Sequence, residues 1–161
     1  MNGQDTPRST PPSAVLDTNT VLDMLLFDDS GAAALARAVR AHQVRWIGTA
    51  RMRDELAGVL QRPRMGRWAP PERAAAILAF ADQCMVVVPA PAATDAPRCR
   101  DAADQIFIDL AWADRTEWLL TRDKALLKLA RAARARAVQV CSPAAWSAAW
   151  MARSTGAAHT A

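Results

Sequence analysis

The sequence predicts a three-layer α/β/α protein, in which helices cover both faces of a central parallel sheet of four to five short strands. Along the 161 residues, short apolar runs typical of buried strands alternate with longer helix-prone segments. This alternation favours parallel pairing, because a strand that returns parallel to its neighbour needs a crossover, usually a helix. The hydrophobic fraction of 52% supplies enough apolar material for a core and disfavours global disorder.

The strands are predicted where an apolar run meets a polar residue or a proline. They cover residues 14–16, 44–47, 85–88, 118–120 and 138–140. Residues 85–88 give the clearest strand signal, and Pro89 closes it because proline cannot donate a ladder hydrogen bond.

Helices are predicted between and after these strands. They cover residues 20–27, 32–41 and 50–62, a segment opening at residues 70–72, a segment carrying Ile106 and Phe107, one from residue 124, and a last one from about residue 142. Pro63 ends the third of these helices, and Glu72 beside the prolines at 70 and 71 is typical of a helix N-terminus.

The domain is expected to span residues 14–153, between a disordered leader at 1–13 and a frayed tail at 154–161. The leader is polar and proline-containing, without the apolar core of a signal peptide. No apolar run approaches the roughly 20 residues that span a bilayer. The three cysteines are widely spaced and favour neither a disulfide framework nor a zinc site. We therefore expect a soluble, cytoplasmic protein with no membrane partner.

The net charge of +4 comes almost entirely from arginine. Arginine pairs bidentately with phosphate, so this balance mildly favours a polyanionic partner, although a genome that prefers arginine codons explains it equally well. One arginine-rich stretch could track phosphates, but a solvated face is the commoner role of such a run. It contains Arg51, Arg53, Arg62, Arg64 and Arg67.

Acidic residues follow the predicted strands. Asp17 comes after the first strand, Glu55 lies on the helix after the second, Asp101 and Asp104 lie beyond the third, and Asp123 follows the fourth. The carboxyl ends of parallel strands share one edge of a sheet, so these side chains can converge although they are far apart in sequence. Their shared placement predicts one acidic site.

Most of these acids also have a purely structural explanation. Asp101 and Asp123 would serve as N-caps of the helices that follow them, with Asp104 in the first turn after Asp101. Glu55 would pair with Arg51 one turn away, an interaction worth only about 0.3–0.5 kcal/mol. These alternatives stay open for each residue taken alone.

Asp17 is harder to explain in this way. Thr18 or Asn19 would cap the first helix adequately, which leaves the Asp17 carboxylate surplus to capping. A carboxylate at a buried strand end also carries a desolvation cost unless a partner pairs with it.

Helical geometry separates Glu55 from its neighbour Asp54. The apolar stripe of their helix is formed by Met52, Leu56, Val59 and Leu60. At roughly 100° per residue, Asp54 lies about 175° from the centre of this stripe and Glu55 about 85°. Glu55 is therefore expected at the core boundary, facing the sheet edge, and Asp54 in solvent.

A cluster of carboxylates needs raised pKa values or a hard cation. At an effective dielectric constant of 20, two carboxylates at 4 Å repel by on the order of 4 kcal/mol. Oxygen ligands without a local histidine or cysteine cluster suit Mg²⁺ or Mn²⁺. Such ions lower the pKa of a bound water and clamp a phosphodiester for in-line attack. Thr18, Asn19 and Thr121 would orient these groups by hydrogen bonds.

Four motifs carry a resemblance to a known family. They are Val15-Leu16-Asp17-Thr18-Asn19; Asp54-Glu55-Leu56 with Val59-Leu60-Gln61-Arg62-Pro63; Cys99-Arg100-Asp101-Ala102-Ala103-Asp104-Gln105-Ile106-Phe107; and Leu119-Leu120-Thr121-Arg122-Asp123-Lys124-Ala125-Leu126-Leu127. In this order, over about residues 14–145, the chain resembles the PIN-domain ribonucleases. It is most similar to the bacterial, VapC-like toxins of type II toxin–antitoxin modules.

The resemblance implies a PIN-like fold and a Mg²⁺- or Mn²⁺-dependent endoribonuclease that cleaves single-stranded RNA with a metal-activated water. It also implies the toxin role, with a small antitoxin protein as partner. The implied catalytic and metal-binding acids are Asp17, Glu55, Asp104 and Asp123, with Asn19, Thr121 and Asp101 as auxiliary residues.

The chain departs from the family pattern at two positions. Ala102 stands where relatives often have proline, which leaves open whether Asp101 or Asp104 is the third metal ligand. Arg122 precedes the last aspartate, where relatives usually have a small residue, and this cation could contact a phosphate or narrow the site. The candidate RNA contacts are Arg51, Arg53, Arg122 and Lys124.

Other interpretations remain open. One is a catalytically weak PIN-type module that binds nucleic acid and regulates. A haloacid-dehalogenase-type phosphatase is disfavoured, because it usually needs a second aspartate where Asn19 stands. Trp146 and Trp150, one helical turn apart, could form the seam of a homodimer or an antitoxin groove, although packing the last helix on the sheet is the commoner role.

Overall fold

The computed structural model describes residues 10–156, and its centre is a sheet in which all five strands are parallel. The strands are β1 (Ser13–Leu16), β2 (Arg45–Gly48), β3 (Val86–Val87), β4 (Trp118–Leu120) and β5 (Gln139–Cys141). They lie side by side in the order β3-β2-β1-β4-β5. The predicted α/β fold class with a central parallel sheet is confirmed.

Helices connect each strand to the next. They are α1 (Thr18–Leu25), α2 (Ala33–Arg40), α3 (Ala50–Leu60), α4 (Pro71–Cys84), α5 (Gln105–Asp114), α6 (Lys124–Leu127), α7 (Ala130–Ala133) and α8 (Pro143–Gly156). Most lie within a few residues of the predicted positions. The single helix expected from residue 124 is instead two short helices, α6 and α7.

The two faces of the sheet bury separate apolar clusters, because successive strand side chains point to opposite faces. Ala14 and Leu16 of β1 pack in one cluster, together with residues of α1, α2, α4 and α8. Val15 lies in the other cluster, against Phe107 and Ile108 of α5. The central strands are therefore buried on both sides, as expected for a parallel sheet.

The strand predicted at residues 85–88 is the weakest in the sheet. Only Val86 and Val87 form β3, at the edge next to β2, and both side chains are exposed. Pro89 cannot extend the ladder, and Met85 turns inward against Gly48, where a β-carbon would overlap its sulfur. The prediction of a clear strand here was wrong in extent.

The ends of the predicted domain also need correction. Ser13, assigned to the leader, begins β1, and the Pro12 carbonyl accepts a hydrogen bond of 2.8 Å from the Arg45 amide. At the other end α8 continues through Gly156, so residues 154–156 are helical and not a frayed tail. The remainder of the predicted leader and tail lies outside the described residues.

The last helix packs through its tryptophans. Trp146 is fully buried in the cluster shared with α1 and α2, and its ring stacks on that of the half-buried Trp150 at 5.1 Å. This contact supports the packing role for both residues. Between residues 10 and 156, each helix is too short or too polar to cross a membrane.

Candidate active site

The candidate site lies where the strand order reverses. After β1 the chain builds β2 and β3 on one side, and β4 and β5 then extend the sheet on the other. β1 and β4 are neighbours, with Leu16 paired to Leu120, so the residues that follow them emerge side by side. Open parallel sheets bind ligands in the crevice beyond the strand carboxyl ends at such a point.

Asp17 follows β1 and is almost completely buried, with 4% of its surface exposed. Its Oδ1 accepts a hydrogen bond of 2.7 Å from the Thr20 amide, and its Oδ2 accepts one of 2.5 Å from the Thr121 hydroxyl. Burial raises the pKa of Asp17 despite these bonds, and the charge of Asp123 adds to the rise.

The expectation that Thr18 or Asn19 would cap α1 was wrong. Asp17 itself is the N-cap, because its extended backbone lets the side chain reach the Thr20 amide. The carboxylate therefore holds α1 and also joins β1 to β4 through Thr121. It is not surplus to the fold, although each of its oxygens keeps a further lone pair.

Thr121 and Asp123 follow β4 and continue this network. The fully buried Thr121 hydroxyl accepts a hydrogen bond of 2.9 Å from the Asp123 amide. Asp123 Oδ1 caps α6 by accepting from the Ala125 and Leu126 amides at 2.8 and 3.3 Å. The structural role foreseen for Asp123 is thus present, while its Oδ2 accepts no hydrogen bond from residues 10–156.

Asp104 and Asp101 differ in placement. Asp101 is exposed and caps a short 3₁₀ turn through the Ala103 amide at 3.0 Å. Asp104, at the start of α5, lines the cleft and accepts no hydrogen bond from the described residues. Burial, and then the charges of Asp123, Asp101, Asp17 and Glu55 in that order, raise the pKa of Asp104 to about 6. The structure therefore favours Asp104 over Asp101 as a cleft carboxylate.

Glu55 reaches the same cleft from α3. Its half-buried side chain lines the cleft, whereas Asp54 beside it is exposed and does not. Among the described residues Glu55 forms no salt bridge with Arg51, so the pairing considered as an alternative is not formed. The helical-face argument placed both residues as the structure has them.

One cleft of about 330 Å³ thus contains all four carboxylates that sequence reasoning selected as catalytic. Asp17, Glu55, Asp104 and Asp123 line it together with Thr18 and Asn19. The donor set is oxygen-only and mutually repulsive, which suits a hard divalent cation. Within residues 10–156, however, no three Asp, Glu, His or Cys side chains already converge closely enough to hold an ion. The four carboxylates therefore share one cleft but do not form a closed metal site among the described residues.

The predicted RNA contacts are only partly placed at this cleft. Lys124 lies in an adjoining pocket. Arg53 instead binds both oxygens of Asp82 on α4, at 2.9 and 3.0 Å, so its guanidinium is engaged. Arg51 is exposed but does not line the cleft. Two other residues of the arginine-rich stretch, Arg62 and Arg64, do line it.

Arg122 has a partner that sequence reasoning missed. It pairs at 2.8 Å with Asp23, a buried carboxylate on α1, so it is not simply free to contact phosphate or narrow the site. Burial raises the pKa of Asp23, and the Arg122 charge opposes that rise. The available signal was an acid within the apolar pattern of α1, next to Leu22 and Met24. Phe27, which also lines the cleft, was not singled out either.

Comparison with known protein families matches residues 13–125 to the PIN domain. The matched segment covers most of the chain and includes all four cleft carboxylates. A search of curated proteins found no match. PIN domains are generally nucleases, which are hydrolases, and they typically use divalent metal ions. The chain belongs to the PIN-domain family.

Proposed function

We propose that this protein is a Mg²⁺- or Mn²⁺-dependent endoribonuclease that cleaves phosphodiester bonds of single-stranded RNA. The observation that carries the proposal is the convergence of Asp17, Glu55, Asp104 and Asp123 on one cleft at the sheet's switch point. Family membership makes nuclease chemistry the natural use of these acids.

The four carboxylates would hold the divalent ion. When bound, the ion would polarise the phosphoryl group and lower the pKa of a water that it holds. Asp17 and Asp123 are already oriented by Thr121 and by the helix amides that they cap, so they offer fixed ligand oxygens. A bound cation would offset the burial and the neighbouring carboxylates that raise the pKa of Asp104 to about 6.

Other residues of the cleft would position the RNA. Asn19 can donate hydrogen bonds to the substrate from the first turn of α1. Arg62 and Arg64 line the cleft from the segment that follows α3, and their guanidiniums suit phosphate oxygens. They would attract the RNA backbone to the cleft that contains the carboxylates.

The role as a toxin belongs to the same proposal and is supported by the motif similarity alone. It implies a small antitoxin that blocks the cleft and a cytoplasmic location. A small protein encoded beside this gene that binds the chain and inhibits RNA cleavage would support this role. If that neighbour had no effect on cleavage, the toxin assignment would fall while the nuclease assignment stood.

The test of the proposed activity is cleavage of a labelled single-stranded RNA with Mg²⁺ or Mn²⁺ and with EDTA. Wild type should cut only with the metal, and Asp17→Asn should cut at least about a thousandfold more slowly. This variant keeps Oδ1 as the cap acceptor and should remain folded. Equal cutting by the variant and the wild type would show that the site is misassigned.

A second candidate function is RNA binding without turnover. It is favoured by one observation, that no three of the acids within residues 10–156 converge at ligand distance. In that case RNA binding would weaken steeply with salt, and no cleavage would appear even in Mn²⁺. Cleavage that is lost with Asp17→Asn would exclude it.

A further inference from the structure

Two exposed aromatic rings lie together, and one of them lines the acidic cleft. Phe27 is 45% exposed and Trp68 is 54% exposed. Their ring centroids are 6.1 Å apart with the planes at 73°, an edge-to-face pair. Phe27 also lines the cleft that contains the four carboxylates. We refer to Phe27 and Trp68 as the aromatic pair.

The backbone that carries the aromatic pair is fixed, although the rings face solvent. The Phe27 amide donates to the Leu22 carbonyl at 2.9 Å, just beyond α1. The Arg73 guanidinium donates to the Leu26 carbonyl at 2.6 Å, which ties the end of α1 to the start of α4. The Trp68 amide donates to the Met65 carbonyl at 2.9 Å. The backbone positions from which both rings project are therefore held by hydrogen bonds.

Three arginines lie near the aromatic pair, on a surface that also borders the four carboxylates of the cleft. Arg62 and Arg64 line the cleft beside Phe27, and the Arg67 guanidinium lies over the Trp68 ring, 5.6 Å from its centroid. None of these three arginines forms a salt bridge with another described residue. The acidic Asp28 beside Phe27 is offset by Arg73 at 3.5 Å. A ligand at this place would need both an aromatic surface and negative charge.

We propose that the aromatic pair is a base-stacking subsite for an unpaired nucleotide next to the phosphate in the acidic cleft. Arg62, Arg64 and Arg67 would contact the flanking phosphates. Stacking platforms beside a basic groove are the usual means by which proteins bind single strands without reading sequence. The proposal rests on the proposed function, because it takes the cleft to be where RNA binds.

The subsite would explain a preference for single strands. A base within a duplex is already stacked on both sides and paired, so it cannot reach Trp68 without an unstacking cost. In a single strand the base is unpaired, so this cost is smaller. The subsite also argues against a purely apolar protein ligand, because Arg67 lies over the Trp68 ring and Arg62 and Arg64 line the cleft beside Phe27.

The experiment measures binding under conditions that do not depend on turnover. A 5′-fluorescein single-stranded RNA is titrated with protein in Ca²⁺, and fluorescence anisotropy reports the Kd. The variants are Trp68→Ala, Phe27→Ala and the conservative Trp68→Phe. The matched control is Met151→Ala, which removes an equally exposed apolar side chain on α8 outside the cleft. The same RNA carrying an abasic nucleotide at each position in turn completes the set.

Trp68→Ala should weaken binding about tenfold to a hundredfold, and Phe27→Ala should also weaken it. Trp68→Phe should recover most of the loss, and Met151→Ala should change nothing. For the wild-type protein, an abasic nucleotide at one position of the RNA should weaken binding by a similar factor. In Trp68→Ala that abasic position should cost nothing further, because the partner ring is already gone.

Two outcomes would overturn the subsite. In one, Trp68→Ala loses the same factor on intact and abasic RNA, or loses nothing. In the other, sedimentation shows a wild-type dimer that Trp68→Ala converts to monomer, which assigns the surface to a second copy. Failure of the proposed function looks different. Base-dependent binding without any Mg²⁺-dependent cleavage would contradict the nuclease function and support the subsite. Cleavage with an unchanged KM in Trp68→Ala would support the nuclease function and contradict the subsite.

Discussion

The acidic cleft has two halves that are built differently. In the first, formed beyond β1 and β4, Asp17, Thr121 and Asp123 hydrogen-bond to one another or to helix amides. In the second, formed by α3 and α5, the carboxylates of Glu55 and Asp104 accept no hydrogen bond from residues 10–156. We call these the anchored half and the free half.

The comparison shows that the carboxylates of the anchored half also stabilise the fold, whereas the charge of Asp104 in the free half is unfavourable for it. The anchored carboxylates cap α1 and α6, so the fold would need them even without a ligand. Asp104 has no such role, and its raised pKa shows that its charge is unfavourable where it lies. A bound cation would offset this unfavourable charge.

The largest effects are expected on activity, and the free half should show them as strongly as Asp17 does. Asp104→Asn and Glu55→Gln should each lower kcat/KM for Mg²⁺-dependent RNA cleavage by about a thousandfold, on the order of 4 kcal/mol, because each removes a ligand charge. Asp54→Asn, next to Glu55 but not on the cleft, is the control and should stay within about twofold. The melting temperatures of all three variants should equal or exceed that of the wild type. Full activity of Asp104→Asn would show that the Asp104 carboxylate is not needed to bind the divalent ion.

The next effect concerns the anchored half. Thr121→Val should lower the free energy of unfolding by about 2 kcal/mol, because it leaves buried Asp17 Oδ2 and the Asp123 amide without their shared partner. Thr121→Ser keeps the hydroxyl and should lose about 1 kcal/mol or less. Urea denaturation measures both. If the two variants were equally stable, the hydrogen bonds would not be what anchors this half.

A third effect is the pH dependence of stability in the free half. Between about pH 4 and about pH 6, folded Asp104 keeps a proton that the unfolded chain has already lost, so its contribution to stability falls as the pH rises through this window. In EDTA at pH 7, Asp104→Asn should be more stable than wild type by on the order of 1 kcal/mol, after allowance for solvent screening. The difference should vanish below about pH 4. A constant difference across this range would show that charge is not its cause.

The smallest effect separates two kinds of arginine near the cleft. Arg122→Gln should lower stability at neutral pH by about 0.5–1 kcal/mol, because it leaves Asp23 buried and unpaired. Arg62→Gln should leave stability unchanged and weaken RNA binding instead. Denaturation curves and the anisotropy assay distinguish the two. If Arg122→Gln were as stable as wild type, the ion pair with Asp23 would contribute nothing to the stability of the fold.

Much of this architecture could be predicted from the sequence because it depends on local pattern. Alternating strand and helix signals give a parallel sheet, and a parallel sheet places strand-end acids such as Asp17 and Asp123 on one edge. The helical period of α3 similarly separates Glu55 from Asp54. Each of these inferences depends only on the pattern within one strand or helix and on the general geometry of parallel sheets.

What could not be predicted depends on contacts between distant segments. The bond from Thr121 to Asp17 and the pair of Arg122 with Asp23 join residues about 100 positions apart, and no local pattern specifies them. The N-cap of α1 was predicted wrongly for another reason. Asp17, Thr18 and Asn19 are all suitable N-cap residues, and the position at which β1 ends determines which of them caps the helix. The aromatic pair was missed because Phe27 and Trp68 meet only after α1 and α4 are joined.

The central claim is that the four carboxylates of the two halves close on one divalent ion. Crystals soaked in Mn²⁺, with anomalous scattering collected to locate the metal, test it most directly. We expect an anomalous peak in the cleft with oxygens of Asp17, Asp104 and Asp123 in its coordination shell, and Glu55 bound directly or through water. A peak elsewhere, or none in the cleft at Mn²⁺ concentrations that support RNA cleavage, would contradict the account.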